Sequence, residues 1–388
     1  MANRIDRRTF MTATAAAGSL LLPGCDAPMP AGVPPPWVAP MPPQPRRSFR
    51  LGTTLWPPDL TVEAVDRAKA FIAENCDLAA QMLLGGVPWP EAHSGAPFSD
   101  NVRAKLAYRP PPGHRLFVSL EPTDMRRRQI ALHMGEQDNL PLPPPWNQLG
   151  FGAPEVQSAY ANYALRVVEA MRPDYLAIGI ESNLLLHNSP DAWAGYKAFH
   201  RHTYQAVKAR HPDLPVCFTI EALHLLGLSD GADRVRQRTE LLDLMDSNDL
   251  VAFSIYPHMS YEVPRPLPAD FFEFARDLSR AGGGKPIAVA ESGYPSRDVR
   301  VMGLPLSGSY ADQRRYMELL LQTAERDGFE FVVNFAGIDF ERLTARLNGE
   351  IRELSLIWTY TGLETGDGAA KPALEVWRSW LDATRTPV

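Results

Sequence analysis

The sequence predicts an α/β protein, a (β/α)8 TIM barrel, and three observations carry that prediction. From residue 49 onward short apolar runs alternate with longer amphipathic stretches, the runs number eight, and no Gly-x-Gly-x-x-Gly follows the first of them. The missing glycine pattern weighs against a doubly wound open sheet, and the eightfold count favours closure. Because the runs are apolar throughout, they read as strands buried on both faces, which pair in parallel through right-handed crossovers.

The first elements lie ahead of the barrel. "RIDRRTFMTATAAAGSLLLPGCDA" has a basic start, a short apolar stretch and small residues before Cys25, the layout of a secretory signal. Its apolar part is too short to span a bilayer as a permanent helix. Arg7-Arg8-Thr9-Phe10-Met11 resembles a twin-arginine export signal, and Leu22-Pro23-Gly24-Cys25 resembles a bacterial lipoprotein box. Residues 1–25 are thus expected to direct export to the periplasm or cell surface, with a lipid on Cys25 as the membrane attachment. Residues 26–48 are so rich in proline that they read as an extended polyproline linker, and residues 49–388 hold the barrel.

Its strands are expected in "FRLGTTLW", "CDLAAQMLL", "HRLFVSLEP", "DYLAIGIES", "PVCFTIEAL", "LVAFSIYPH", "PIAVAESGY" and "FEFVVNFAGID". Helical spacing of apolar residues follows the first in "TVEAVDRAKAFIAEN" and the fourth in "DAWAGYKAFHRHTYQAVKARH". It recurs in "GADRVRQRTELLDLMD", "PADFFEFARDLSRAGG" and "YADQRRYMELLLQTAERDG" after the fifth, sixth and seventh, and "KPALEVWRSWLDATR" supplies the last helix. Cys76 and Cys217 each sit in or beside an apolar run with no metal-binding spacing, so buried free thiols are expected. The formal net charge of -6 gives no broad basic surface, which excludes the electrostatic case for nucleic acid. A monomer is expected.

In this fold, functional groups sit where strands end at the C-terminal face. The polar residues there are Glu121, Glu181, Glu221, Tyr256, His258, Glu291, Asn334 and Asp339. Glu291 in "PIAVAESGYPS" ends an apolar strand on a carboxylate, and burying an unpaired charge costs several kcal/mol or more. Glu181 in "YLAIGIESN" shares that pattern. Strands four and seven lie nearly opposite in an eight-stranded ring, so the two side chains point into one mouth. Retaining glycoside hydrolysis needs such a pair, one carboxyl protonated and one ionised, about 5–5.5 Å apart.

Glutamates at the ends of strands four and seven resemble the signature of clan A glycoside hydrolases. "KPIAVAESGYPS" is similar to the nucleophile strand of the endo-β-1,4-galactanase and plant-type β-1,3-glucanase families, and "IWTYTGLETGDGAAKPALEVWRSW" resembles the galactanase C-terminus. The resemblance implies a β-glycan hydrolase, with Glu291 as nucleophile, Glu181 as acid/base, Tyr256 orienting the nucleophile, and no metal or organic cofactor. Two departures stand out: Ile180 replaces the Asn that usually precedes the acid/base, and the usual Trp of strand eight is absent, leaving Asn334 or Phe335 in that platform. Ser182 and Asn183 lie nearby, and Asn183 is a candidate substrate contact. Sugars stack their C–H faces on flat rings, so Trp56, Trp89, Trp146 and Trp358, in loops after strands, are the candidate substrate platforms. The insert "GEQDNLPLPPPWNQLGFGAPEVQ" is long enough to wall one side of a cleft. Rival readings are a clan A hydrolase of β-glucan or mannan, and a surface lipoprotein that kept a carbohydrate cleft and lost turnover.

Overall fold

Parallel pairing runs in chain order around a ring in the computed structural model, which describes residues 46–386. The strands are Arg50–Thr54, Leu78–Leu83, Arg115–Leu120, Tyr175–Ala177, Val216–Cys217 with Thr219–Glu221, Val251–Ile255, Ile287–Ser292 and Phe331–Ala336. Strand eight closes on strand one in the register Phe331↔Arg50. Strand five is broken at Phe218: its first half pairs with strand four and its second with strand six. The ladder nevertheless continues past strand four, through Ile178 N–H to Cys217 C=O at 2.7 Å and Thr219 N–H to Gly179 C=O at 2.8 Å. The barrel predicted from the eight apolar runs is therefore the fold observed.

Local chemistry explains where the outer helices start. Thr61 caps Val62–Asn75 by accepting from the Ala64 N–H, and Ser309 caps Tyr310–Asp327 by accepting from Asp312. Pro154 and Pro372 open their helices at the first position, where a missing N–H costs nothing. Trp193–Arg210, Arg234–Leu242 and Glu273–Ala281 complete the positions expected after strands four to six.

Three apolar clusters fill the molecule. One packs strands against helices. A second plugs the barrel interior, where Phe117, Tyr175 and Phe331 meet with ring centroids 4.9–5.0 Å apart. The third gathers Trp56, Tyr256, Phe335 and Trp358. Cys76 and Cys217 are buried and free, as expected, and burial pushes the Cys76 thiol up to about 12.

Two features were not expected. Val299–Val301 and Leu304–Leu306 form a hairpin after strand seven, turned by Met302 and Gly303, both at positive φ. Arg46–Arg47 pairs in parallel with Thr384–Arg385, so the end of the proline-rich stretch is pinned beneath the barrel, and Arg47 meets Asp77 at 2.9 Å. The export signal at 1–25, Cys25 and the linker up to residue 45 lie outside the described residues. Among the described residues no helix is long and apolar enough to cross a membrane.

Candidate active site

Strand seven delivers Glu291 from the barrel wall, with neighbouring Ser292 tied to the Val333 carbonyl at 2.8 Å. Glu291 is 6% exposed, and the Tyr256 hydroxyl, at the end of strand six, donates a hydrogen bond to its Oε1. Opposite, the chain leaves strand four in a conformation that costs something to hold: Glu181 has φ of +47°, and a non-glycine residue in the left-handed region carries about 1–2 kcal/mol of strain. Thr219 of strand five holds it there, accepting the Glu181 N–H on its hydroxyl at 2.7 Å and the Ser182 N–H on its carbonyl at 3.0 Å.

Arg127 lies between the carboxylates. It forms a short ion pair with Glu121 and reaches Glu181 Oε2 at 3.5 Å. Glu121 also accepts from the Thr123 N–H and hydroxyl at 2.8 and 2.5 Å. Three buried carboxylates thus lie in the field of one buried guanidinium that touches two of them, an excess of negative charge that favours holding a proton among them. Burial, followed by the charge of Glu291, raises Glu181 well above the ordinary carboxylate range. Burial also pushes Glu291 up to about 7, while Tyr256 and Arg127 pull it back. The two titrate as a pair in which Glu181 keeps the proton longer.

A cavity of about 250 Å³ opens over this group. Glu291, Arg127, Ile180, Phe335 and Trp358 line it together with Leu84, Gly85 and Gly86 after strand two, several residues of the loop after strand three from Glu121 to Leu132, and Asn139 from the long insert. Glu181 follows the cavity-lining Ile180 in the chain and is itself not among the lining residues. Phe335 supplies the strand-eight aromatic surface, 6.2 Å from Trp358 between ring centroids. Among the described residues the buried Trp358 Nε1 has no hydrogen-bond partner, which leaves a donor for a ligand hydroxyl.

The other sequence candidates take different places. Trp56 packs against Phe335 at 5.0 Å between ring centroids and does not line the cavity. Trp89 is fully buried, stacks on Trp146 at 5.9 Å and donates to the Ala131 carbonyl at 2.9 Å, which anchors the wall loop from behind. The Asn183 amide bonds Glu221 backbone and Gln237, and the Asn334 amide bonds the Ala336 and Thr361 carbonyls, so both side chains brace backbone. His258 is a core histidine bonded to the Ile357 carbonyl, its pKa pulled down to about 3 by burial. Glu221 caps the helix Ala222–Leu226, and Asp339 is held by Lys371 at 2.6 Å. Arg127 was not foreseen. It stands in "MRRRQ", where nothing in the sequence separates it from Arg126 and Arg128; only the turn at φ of +51° aims it inward while its neighbours stay exposed.

No family model and no curated sequence matches this chain. Solved structures resemble it in fold. GH5_18 from Streptomyces cattleya, in complex with Manb1-4GlcNAc, superposes with a TM-score of 0.59 at 17% identity, covering 88% of this chain and 83% of the other. The exo-beta-1,4-mannosidase Op5Man5 from Opitutaceae bacterium strain TAV5 gives 0.57 at 14% identity, over 87% of this chain and 60% of its own. The beta-glycosidase BGL167 gives 0.51 at 15% identity, over 83% and 87%. At such identities the likeness is one of fold: this chain shares the (β/α)8 architecture of these proteins.

Proposed function

We propose that the protein is a retaining β-glycoside hydrolase. The observation that carries the reading is the buried Glu181/Glu291 pair at the C-terminal mouth, with the proton held on one member and the other bonded by Tyr256 beside a cavity. In the first step Glu291 attacks the anomeric carbon while Glu181 gives its proton to the departing glycosidic oxygen, forming a glycosyl-enzyme. In the second, Glu181 takes a proton from water, which displaces Glu291 and releases the sugar with its configuration retained. Loss of the proton from Glu181 and loss of charge on Glu291 each stop the first step, so activity peaks between the two titrations of the pair.

The fold neighbours named as a mannosidase and a β-glycosidase support a β-linked substrate, and the strand-seven and C-terminal motifs favour β-1,4-galactan within that class. The apolar Ile180 wall takes the place where a 2-hydroxyl partner is usual, and the Trp358 indole and Arg127 are the donors that remain near it. The test is release of reducing ends from a panel of β-linked glycans including β-1,4-galactan, with Glu291→Gln beside the wild type. Release that disappears in the variant supports the reading. Glycan binding without release from any member of the panel favours the carbohydrate-binding lipoprotein instead.

A further inference from the structure

Beside the carboxylate pair, on the same face of the barrel, a second group of side chains has no part in the chemistry above. We propose that His187, His224 and Asp230 bind a first-row divalent transition metal, zinc foremost, which fastens the loops after strands four and five to each other. His187 lies on the short helix Asn183–Asn188, His224 on the helix Ala222–Leu226, and Asp230 on the turn that follows. One ligand atom from each lies within 4.8 Å of the others. His224 Nε2 is 3.8 Å from Asp230 Oδ2, and the two imidazoles meet edge-on at 4.9 Å between centroids. Zinc with its ligands at about 2.0–2.1 Å in a tetrahedron spaces them about 3.3 Å apart, so closure asks for movements on the order of 1 Å, within side-chain rotation.

The surroundings prepare these atoms for a metal. Glu221 accepts from His224 Nδ1 at 2.6 Å while also accepting the backbone N–H groups of Leu223 and His224 at 3.0 and 2.7 Å. A carboxylate on Nδ1–H fixes the tautomer and leaves the lone pair on Nε2, the arrangement found behind metal-bound histidines. Nε2 is the atom that faces Asp230. The His187 ring, half-buried, makes no side-chain hydrogen bond among the described residues and so has its nitrogens free for a ligand. Asp230 holds φ of +50° beside the two rings. Two imidazoles and one carboxylate with a position left for water suit zinc and its neighbours; calcium and magnesium prefer all-oxygen sets. None of the three side chains lines the cavity over Glu291, so the metal's role is to hold the loops, and the inference stands whether or not the protein cleaves glycans.

The experiment is to dialyse the purified full chain against zinc and then metal-free buffer, count bound zinc by atomic emission, and follow the thermal midpoint with zinc, calcium or magnesium added. About one zinc per chain is expected, with a midpoint that rises with zinc and not with calcium or magnesium. His187→Ala and Asp230→Asn, at half-buried and exposed positions that leave folding intact by circular dichroism, should each weaken zinc binding roughly 10- to 100-fold or more, as even outer-shell losses do. A wild type that retains less than about 0.1 zinc, or variants that bind zinc as the wild type does, would overturn the proposal.

Discussion

At the scale of single residues, the proposed site gives two identical side chains different surroundings. Glu291 has the Tyr256 hydroxyl on its carboxylate, whereas Glu181 has a bonded backbone, a distant guanidinium and the repulsion of its partner. Tyr256→Phe removes one charge-assisted hydrogen bond, worth about 1.5–3 kcal/mol, so kcat/KM should fall roughly 10- to 100-fold. The acid limb of its pH profile should also move up, because Glu291 then ionises less readily. An unmoved acid limb would assign Tyr256 to packing alone. Stability reads the same electrostatics with a defined sign. Glu181 binds its proton more tightly in the folded than in the unfolded chain, so between an ordinary carboxylate pKa of about 4.5 and its raised folded value, rising pH costs the native state stability. Glu181→Gln lacks that cost. Its thermal midpoint should therefore exceed the wild type's at pH 7–8, and the gain should shrink toward pH 4.

At the scale of elements, strands placed the carboxylates and loops placed everything around them. Gly52 of strand one shows how closely the strands approach: a Cβ there falls 2.5 Å from Leu78 Cδ2 and 2.7 Å from the Leu78 carbonyl oxygen. Gly52→Ala should cost about 1–3 kcal/mol by overpacking, measured as a lower urea midpoint; an unchanged midpoint would mean that the two strands separate easily. The strands were legible because eight apolar runs each have the length and neighbours that a barrel demands, and Glu181 and Glu291 were legible because a charge ending such a run needs a reason. The hairpin at Val299–Leu306 was not, since its three-residue strands are too short to show a period. Arg127 was hidden among three consecutive arginines, and the contacts of Asn183 and Asn334 with backbone depend on turns that a residue type does not reveal. The tryptophans divided along the same line: Trp358 reaches the cavity, while Trp89 and Trp146 stiffen the loop behind it.

At the scale of the whole molecule, a closed barrel provides the rigid frame that a strained, mutually repelling carboxylate pair requires. Strand five, although broken at Phe218, keeps the ring continuous and carries both Thr219, which holds Glu181, and Glu221, which orients His224. Strand five thus braces one member of each proposed site, Glu181 of the carboxylate pair and His224 of the metal group, and the wall loops after strands two and three close over the carboxylates. The acidic net charge of -6 sets no barrier to a neutral glycan. The most direct measurement is proton NMR of the first product formed from a cleavable β-glycoside, taken before mutarotation. Appearance of the β-anomer first is the predicted result, because Glu291 attack followed by water inverts the anomeric carbon twice. Appearance of the α-anomer first would contradict the two-step mechanism and the assignment of Glu291 as nucleophile.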